Sequence, residues 1–336
     1  MTLNDTVSGL AGLLTLQDFS PVYREADRVR REAVGDVVHI RAILEFSNHC
    51  RRQCRYCGLN SRNAACDRYR MTPEEMVDSA RAAWEAGYKT IVLQSGEDPF
   101  FTSALLGEIV REIKRTGLAV TVSCGEMPRE DYAHLRACGA DRYLLKHETA
   151  DPVLYDSLHP CGTLSERVAC LKTLKALGFE TGSGFMIGLP GQTNETVARD
   201  LLLLREIGCD MAGIGPFIPH RDTPFRDFPP GSVELTLYLL SLLRLIHPDL
   251  LLPATTALGT LQEDGRERGM LAGANVVMPN LSPPDAREKY TLYNGKLHSG
   301  AESAQHVADL KARMAAIGCR VVTDRGDHIS QNTTTL

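Results

Sequence analysis

The sequence predicts an α/β fold, a closed (β/α)8 barrel of the TIM type, and three observations carry that prediction. Short apolar runs alternate eight times with amphipathic helical runs between residues 37 and 278. Such alternation implies parallel strands joined by crossover helices. A glycine follows five of the helical runs, at Gly87, Gly117, Gly139, Gly178 and Gly208, as C-cap glycines do. The unusual phrases of the chain fall just after the strand runs, and in a barrel that end carries the chemistry. An open doubly wound sheet shares the periodicity and is the alternative.

Taken in order, residues 1–34 read as a helical lead-in. Leu10, Leu13 and Leu14 give it one apolar face, and residues 23–31 are charged. Strands are expected at 37–46, 89–94, 119–123, 142–146, 180–187, 211–214, 251–254 and 275–278. Helices are expected at 73–86, 102–116, 129–138, 165–177, 195–207, 232–246 and 258–272. Thr72-Pro73-Glu74-Glu75 is a strong helix start, with a hydroxyl cap, a first-turn proline and early acids. The barrel domain is placed at 35–282 and a cap with a tail at 283–336, including a peripheral helix at 302–317 and a polar, frayed end from Asp324.

Composition excludes several classes. The hydrophobic content of 43% supports a real core, and the net charge of −5 offers no overall basic field for nucleic acid. Residues 1–16 lack the basic start of a secretory signal. The longest apolar stretch, 235–246, contains Arg244 and is too short to span a bilayer. Ten cysteines without paired spacing imply a reducing, cytoplasmic setting.

Directly after the first strand run come Cys50, Cys54 and Cys57, spaced C-x3-C-x2-C. Three thiolates on one loop can ligate three irons of a cubane cluster, leaving the fourth without a protein ligand. An open iron can chelate the amino and carboxylate groups of S-adenosylmethionine. A reduced cluster can then split the sulfonium bond and release a 5′-deoxyadenosyl radical, chemistry that the protein positions and shields. The bland alternative is structural zinc in a binding protein without catalysis. Zinc wants four ligands, and the fourth is missing here. His49 neighbours a ligand and is badly placed to reach the same metal.

These cysteines stand among phrases such as Glu45-Phe46-Ser47-Asn48, Gln94-Ser95-Gly96-Glu97-Asp98-Pro99, Gly188-Leu189-Pro190-Gly191-Gln192-Thr193 and Gly273-Ala274-Asn275-Val276-Val277-Met278-Pro279-Asn280. Together they resemble radical S-adenosylmethionine enzymes, and more narrowly the [FeFe]-hydrogenase maturases of the HydE type. The likeness runs from about residue 37 to residue 293. It implies a cofactor site built from Tyr56, Ser95, Gly96, Glu97, Ser123, Glu148, Arg167, Met186 and Ile187. Ser95 stands where the family has the first glycine of its glycine-glycine-glutamate segment. Arg167 is expected to pair with the methionine carboxylate, and Glu97 with the ammonium. Arg142, Met211, Thr255, Thr256 and Tyr290 are expected to close a substrate cavity, with Arg142 holding a substrate carboxylate. Many relatives carry a second cluster on three later cysteines. Residues 298–303 contain none and Cys319 stands alone, so one [4Fe-4S] cluster is expected.

The resemblance implies a role in assembling the hydrogenase diiron subcluster, on a small sulfur-containing, cysteine-derived iron complex. Implied partners are a low-potential ferredoxin or flavodoxin, a tyrosine-cleaving radical enzyme and a GTPase scaffold. The rival is a carbon-skeleton mutase like methylornithine synthase. That reaction would want a second cavity acid for a lysine ammonium, for which Asp98 and Asp285 are candidates.

Overall fold

The computed structural model describes residues 6–16, 18–297 and 307–329. The lead-in is α1 (Val7–Leu13) and α2 (Ser20–Val34). The first barrel strand comes in two parts, β1 (Val37–Ile40) and β2 (Ala42–Ser47). Then follow α3 (Pro73–Glu85), β3 (Thr90–Ser95), α4 (Ser103–Lys114), β4 (Ala119–Ser123), α5 (Arg129–Ala137) and β5 (Arg142–Leu144). The middle third adds α6 (Pro152–Leu158), α7 (Leu164–Ala176), β6 (Glu180–Ser183), β7 (Met186–Ile187) and α8 (Asn194–Ile207). Beyond it lie β8 (Met211–Ala212), β9 (Gly215–Pro216), α9 (Val233–Ile246), α10 (Thr256–Leu261), α11 (Gly265–Leu271) and β10 (Val276–Val277). The last described elements are α12 (Pro284–Lys289), α13 (Val307–Ala316) and β11 (Arg320–Val322).

Six strands pair in parallel in the order β2-β3-β4-β5-β6-β8. Single bridges carry the ring onward, from Met211 to Leu251, from Pro253 to Val276 and from Asn280 to Ile43, while β10 pairs with β1. The sheet therefore closes on its first strand, as a barrel does and an open sheet does not.

Local chemistry explains where the elements start and stop. Thr72 accepts from the Glu75 amide at 3.2 Å and Glu75 accepts from the Thr72 amide at 2.7 Å, a complete capping box. The apolar helix α9 is a core helix, with Leu237, Leu239, Leu240, Leu242 and Leu243 all buried. Its Arg244 is satisfied by the Gly273 and Pro248 carbonyls. No helix among the described residues is long and apolar enough to cross a membrane.

Several expected elements differ. The fifth strand breaks at Gly184, where φ is +156° and a Cβ would lie 2.0 Å from the Gly213 carbonyl oxygen. β7 is thereby freed to pair with β9. The expected helix at 258–272 is two pieces, because Gly265 packs against the end of α10, with a Cβ position 2.4 Å from the Leu258 oxygen. Helix α6, started by an Asp151 cap and Pro152, was not expected. The helix expected at 302–317 is described only from Val307. Residues 298–303, which bear on a second cluster, lie outside the described residues.

Residues 324–329 correct the expectation of a frayed tail from Asp324, while residues 330–336 lie outside the described residues. β11 pairs with β1 at the bottom of the barrel, and residues 324–328 then close the floor. Arg41 donates to the Gly326 carbonyl at 2.8 Å and Arg142 to the Arg325 carbonyl at 2.7 Å. The His328 amide donates to Glu180 at 3.0 Å. Buried arginines need acceptors, and this polar segment supplies them.

Candidate active site

The cysteine loop rises from the top of β2 and is held on every side by backbone bonds. The Arg51 amide donates to the Glu97 carbonyl at 2.9 Å, Arg55 to Leu158 at 3.0 Å and Gly58 to Leu292 at 2.9 Å. Arg68 staples its two ends, donating to the carbonyls of Asn48, Leu59 and Asn60. Burial raises the thiols of Cys50, Cys54 and Cys57, the second to about 12 and the third well above its usual range; the neighbouring cysteines push the last two further. Metal binding would displace these protons, and three thiols on one loop are the donor set a thiolate-ligated cluster would use. Among the described residues no three Cys, His, Asp or Glu side chains converge as the ligands of one metal ion would.

Cys54, Tyr56 and Cys57 form one wall of a cavity of about 380 Å³ inside the top of the barrel. Among the expected residues, Ser95, Ser123, Glu148, Arg167, Met186, Met211, Thr255, Thr256 and Tyr290 also line it. Ile187 does not, being fully buried between β7 and β9 with its carbonyl taken by Phe217. Gly96 and Glu97 do not either; they brace the cysteine loop from below. A Cβ at Gly96 would lie 2.3 Å from the His49 oxygen. Glu97 is buried and accepts from Arg51 at 3.1 Å, Arg52 at 2.5 Å and the Glu126 amide at 3.0 Å. The ammonium contact expected of Glu97 therefore meets a carboxylate already saturated by arginines.

Arg142 is the clearest correction. It begins β5 at the opposite end of the barrel, fully buried, paired with Glu180 at 2.8 Å and with Asp327. The cation that reaches the cavity from this strand is Lys146, four residues on, and its ammonium has no partner among the described residues. β5 carries Arg142 at its start, and only a residue past its C-terminal end, Lys146, reaches the reactive face.

Glu148 has the one positive φ among the described non-glycine residues, +65°. A left-handed carboxylate costs backbone energy and is held only where its surroundings fix it. Here its amide donates to the Gly184 carbonyl at 3.0 Å. Neighbouring His147 is buried, with Nδ1 2.9 Å from Ser183 and Nε2 3.5 Å from Asp200. The Glu148 Oε2 atom is buried without a hydrogen-bond partner among the described residues, an acceptor free to take a donor from a ligand. Arg167, from α7, pairs with Glu126 at 2.7 Å and Tyr155 at 3.2 Å and faces the same space. Glu148→Gln and Arg167→Ala should each weaken S-adenosylmethionine binding roughly 10- to 150-fold, the cost of a charge-assisted bond. Titration of the reduced protein's spin signal with cofactor checks this, and unchanged titration sinks it.

Sequence reasoning missed three supports. Tyr56 is fixed by His159, whose Nε2 lies 3.0 Å from the Tyr56 hydroxyl. The other ring nitrogen lies 3.2 Å from the Tyr155 carbonyl, so it donates there and Nε2 accepts. Burial lowers the His159 pKa to about 3, which keeps that acceptor neutral. His159→Phe should raise the cofactor dissociation constant roughly 2- to 10-fold with iron content unchanged, as measured by equilibrium dialysis. Glu45 also faces the cavity, but Lys296 at 2.7 Å and Asn280 at 2.8 Å saturate it. Gln192 clasps the turn after Met186 through the Met186 carbonyl and Gly188 amide. Its offset from the Gly188-Leu189-Pro190-Gly191 turn was the only sequence signal.

A profile of the Radical SAM superfamily matches residues 44–224. The chain is 54% identical over 276 residues to "[FeFe] hydrogenase maturase subunit HydE" of Thermotoga maritima, covering 82% of this chain and 79% of that protein. It is 30% identical over 328 residues to 3-methylornithine synthase of Methanosarcina barkeri, covering 95% and 90%. The crystal structure of methylornithine synthase (PylB) superposes with a TM-score of 0.84 at 27% identity, covering 98% of this chain and 96% of that one.

Proposed function

This chain belongs to the radical SAM superfamily, whose members use a [4Fe-4S] cluster and S-adenosylmethionine, and on that premise we propose that it acts in assembling the diiron subcluster of [FeFe]-hydrogenase. Its substrate in this reading is a small, cysteine-derived, sulfur-bearing iron complex. Its pathway partners are a tyrosine-cleaving radical enzyme and a GTPase scaffold. The observation that carries the reading is a cavity walled by the cysteine loop and lined by Glu148, Arg167 and Lys146, the last without a partner among the described residues.

When bound, the cluster supplies the electron that splits the cofactor's sulfonium and yields a 5′-deoxyadenosyl radical. The chain's own work is holding and shielding. Cys50, Cys54 and Cys57 hold the cluster. Arg167 takes the methionine carboxylate, Glu148 accepts from a cofactor donor, and Tyr56 and Met186 pack beside it. Met211, Phe217, Ile218 and Met278 keep the remaining wall apolar and exclude water from a reactive radical. Lys146 holds a substrate carboxylate or an anionic iron complex.

Charge favours this substrate over lysine. Four cations line the cavity, Arg41, Lys146, Arg167 and Lys296, against two acids, Glu45 and Glu148. Glu45 is saturated and Glu148 belongs to the cofactor, so no acid remains for a lysine ammonium. Asp98 is bound to Arg70 and Ser47, and Asp285 is exposed on α12, so neither serves. The test supplies enzyme, cofactor and reductant with either lysine or a cysteine-bound iron carbonyl cyanide complex. Consumption of the iron complex, with adenosyl attachment at sulfur, supports the maturase. Methylornithine formed from lysine overturns it. Lys146→Met should raise KM for the carboxylated substrate by about tenfold or more. Cofactor cleavage without substrate should stay at the parent rate, as read by 5′-deoxyadenosine release.

A further inference from the structure

We propose that the outer face of the cysteine loop is the docking surface for an acidic one-electron carrier protein. This rests on the reading that Cys50, Cys54 and Cys57 hold a cluster that must be reduced from outside. Residues 48–70 carry six arginines, Arg51, Arg52, Arg55, Arg62, Arg68 and Arg70, and one acid, Asp67, in a chain of net charge −5. A local field of one sign on an oppositely charged molecule steers an oppositely charged partner to that face.

Three of the six arginines are committed internally. Arg52 binds Glu97 and Glu126, Arg68 staples the loop ends, and Arg70 pairs with Asp98. Arg55 and Arg62 are exposed and have no side-chain partner among the described residues. Arg51 is 55% exposed; its Nε pairs with Glu97 at 3.1 Å and one terminal nitrogen reaches the Glu126 carbonyl at 3.5 Å. The Ser61 amide donates to the Arg52 carbonyl at 2.8 Å, folding the second half of the loop back against the first. The loop's single acid adds little opposing field, because Asp67 is held by Lys289 at 2.9 Å.

At the margin of the loop the Arg70 guanidinium lies 5.0 Å from the ring centre of Phe100, which is 53% exposed. An exposed aromatic with an arginine over it is the kind of anchor protein interfaces use. The reduction itself is one electron moving from carrier to cluster. The carrier is oxidised by one electron, and no bond or proton changes on this chain. A carrier protein is far too large for a 380 Å³ cavity, and the barrel floor is closed by residues 324–328. The loop's own outer face is the short way in.

The test titrates the iron-loaded protein with an acidic flavodoxin at low and at physiological salt, and separately with a short single-stranded DNA. Flavodoxin should bind, and its affinity should fall steeply with salt. Arg55→Glu/Arg62→Glu should weaken binding about tenfold or more and slow reduction by flavodoxin hydroquinone in step. Cleavage of S-adenosylmethionine driven by dithionite should match the parent. Arg55→Gln/Arg62→Gln, which removes charge without reversing it, should fall between and guards against a misfolded first variant. Unchanged affinity in both variants, binding indifferent to salt, or equally tight binding of the DNA overturns the proposal. Failure of the parent protein to cleave cofactor with dithionite would instead overturn the cluster reading and leave the docking result standing.

Discussion

Cys54→Ala is expected to abolish cofactor cleavage altogether. Protein reconstituted with iron and sulfide under anaerobic conditions should hold about four irons per chain, and the variant far fewer. Two thiolates cannot replace three, because each ligates its own iron and the open iron must stay the one that meets the cofactor. Cys50→Ala and Cys57→Ala should behave alike. The fold should persist in all three variants, since the loop is also tied by the Glu97, Leu158 and Leu292 carbonyls and by Arg68. Normal iron content and activity in Cys54→Ala would falsify the assignment. Four irons retained with activity lost would point to a second cluster site, against the expectation of one.

Arg142→Ala is expected to cost roughly 3–5 kcal/mol of stability and to leave substrate recognition alone, because it strips the partner from a buried carboxylate. Glu180 is 3% exposed and faces Arg142 at 2.8 Å and Arg41 at 3.5 Å. Truncation after Thr323 should be costly for the mirror-image reason. It removes the Arg325 and Gly326 carbonyls that Arg142 and Arg41 use, together with the Asp327 carboxylate. Chemical denaturation of the apoprotein reads both changes as a lower midpoint. A raised substrate KM with an unchanged midpoint would return Arg142 to the cavity and displace Lys146 from its role.

These two residues show how far the sequence reaches. The cysteine spacing is local. Three ligands within eight residues must share one loop whatever the rest of the chain does, so their chemistry is legible from C-x3-C-x2-C alone. Arg142 and Lys146 lie on one strand run, and which of them reaches the reactive face depends on where that strand starts. Strand ends are set by pairing with neighbours, here by Arg142 opposite Thr121 and Glu180. No pattern within residues 142–146 contains that register.

By itself the sequence determined the alternating β/α order, the capped helix starts, the five glycine stops and the cluster loop, because each follows from contacts between residues close in the chain. Tertiary structure decided the rest. It closed the ring through single bridges at Leu251, Pro253 and Asn280 and turned Glu97 from a cofactor contact into a brace for the loop. It saturated Glu45 with a lysine 251 residues away and drew a polar tail under two buried arginines. In each of these a charged or hydrogen-bonding group was matched to a partner far along the chain. Such matches are fixed by burial, which leaves no water to substitute, and burial exists only once the barrel has closed.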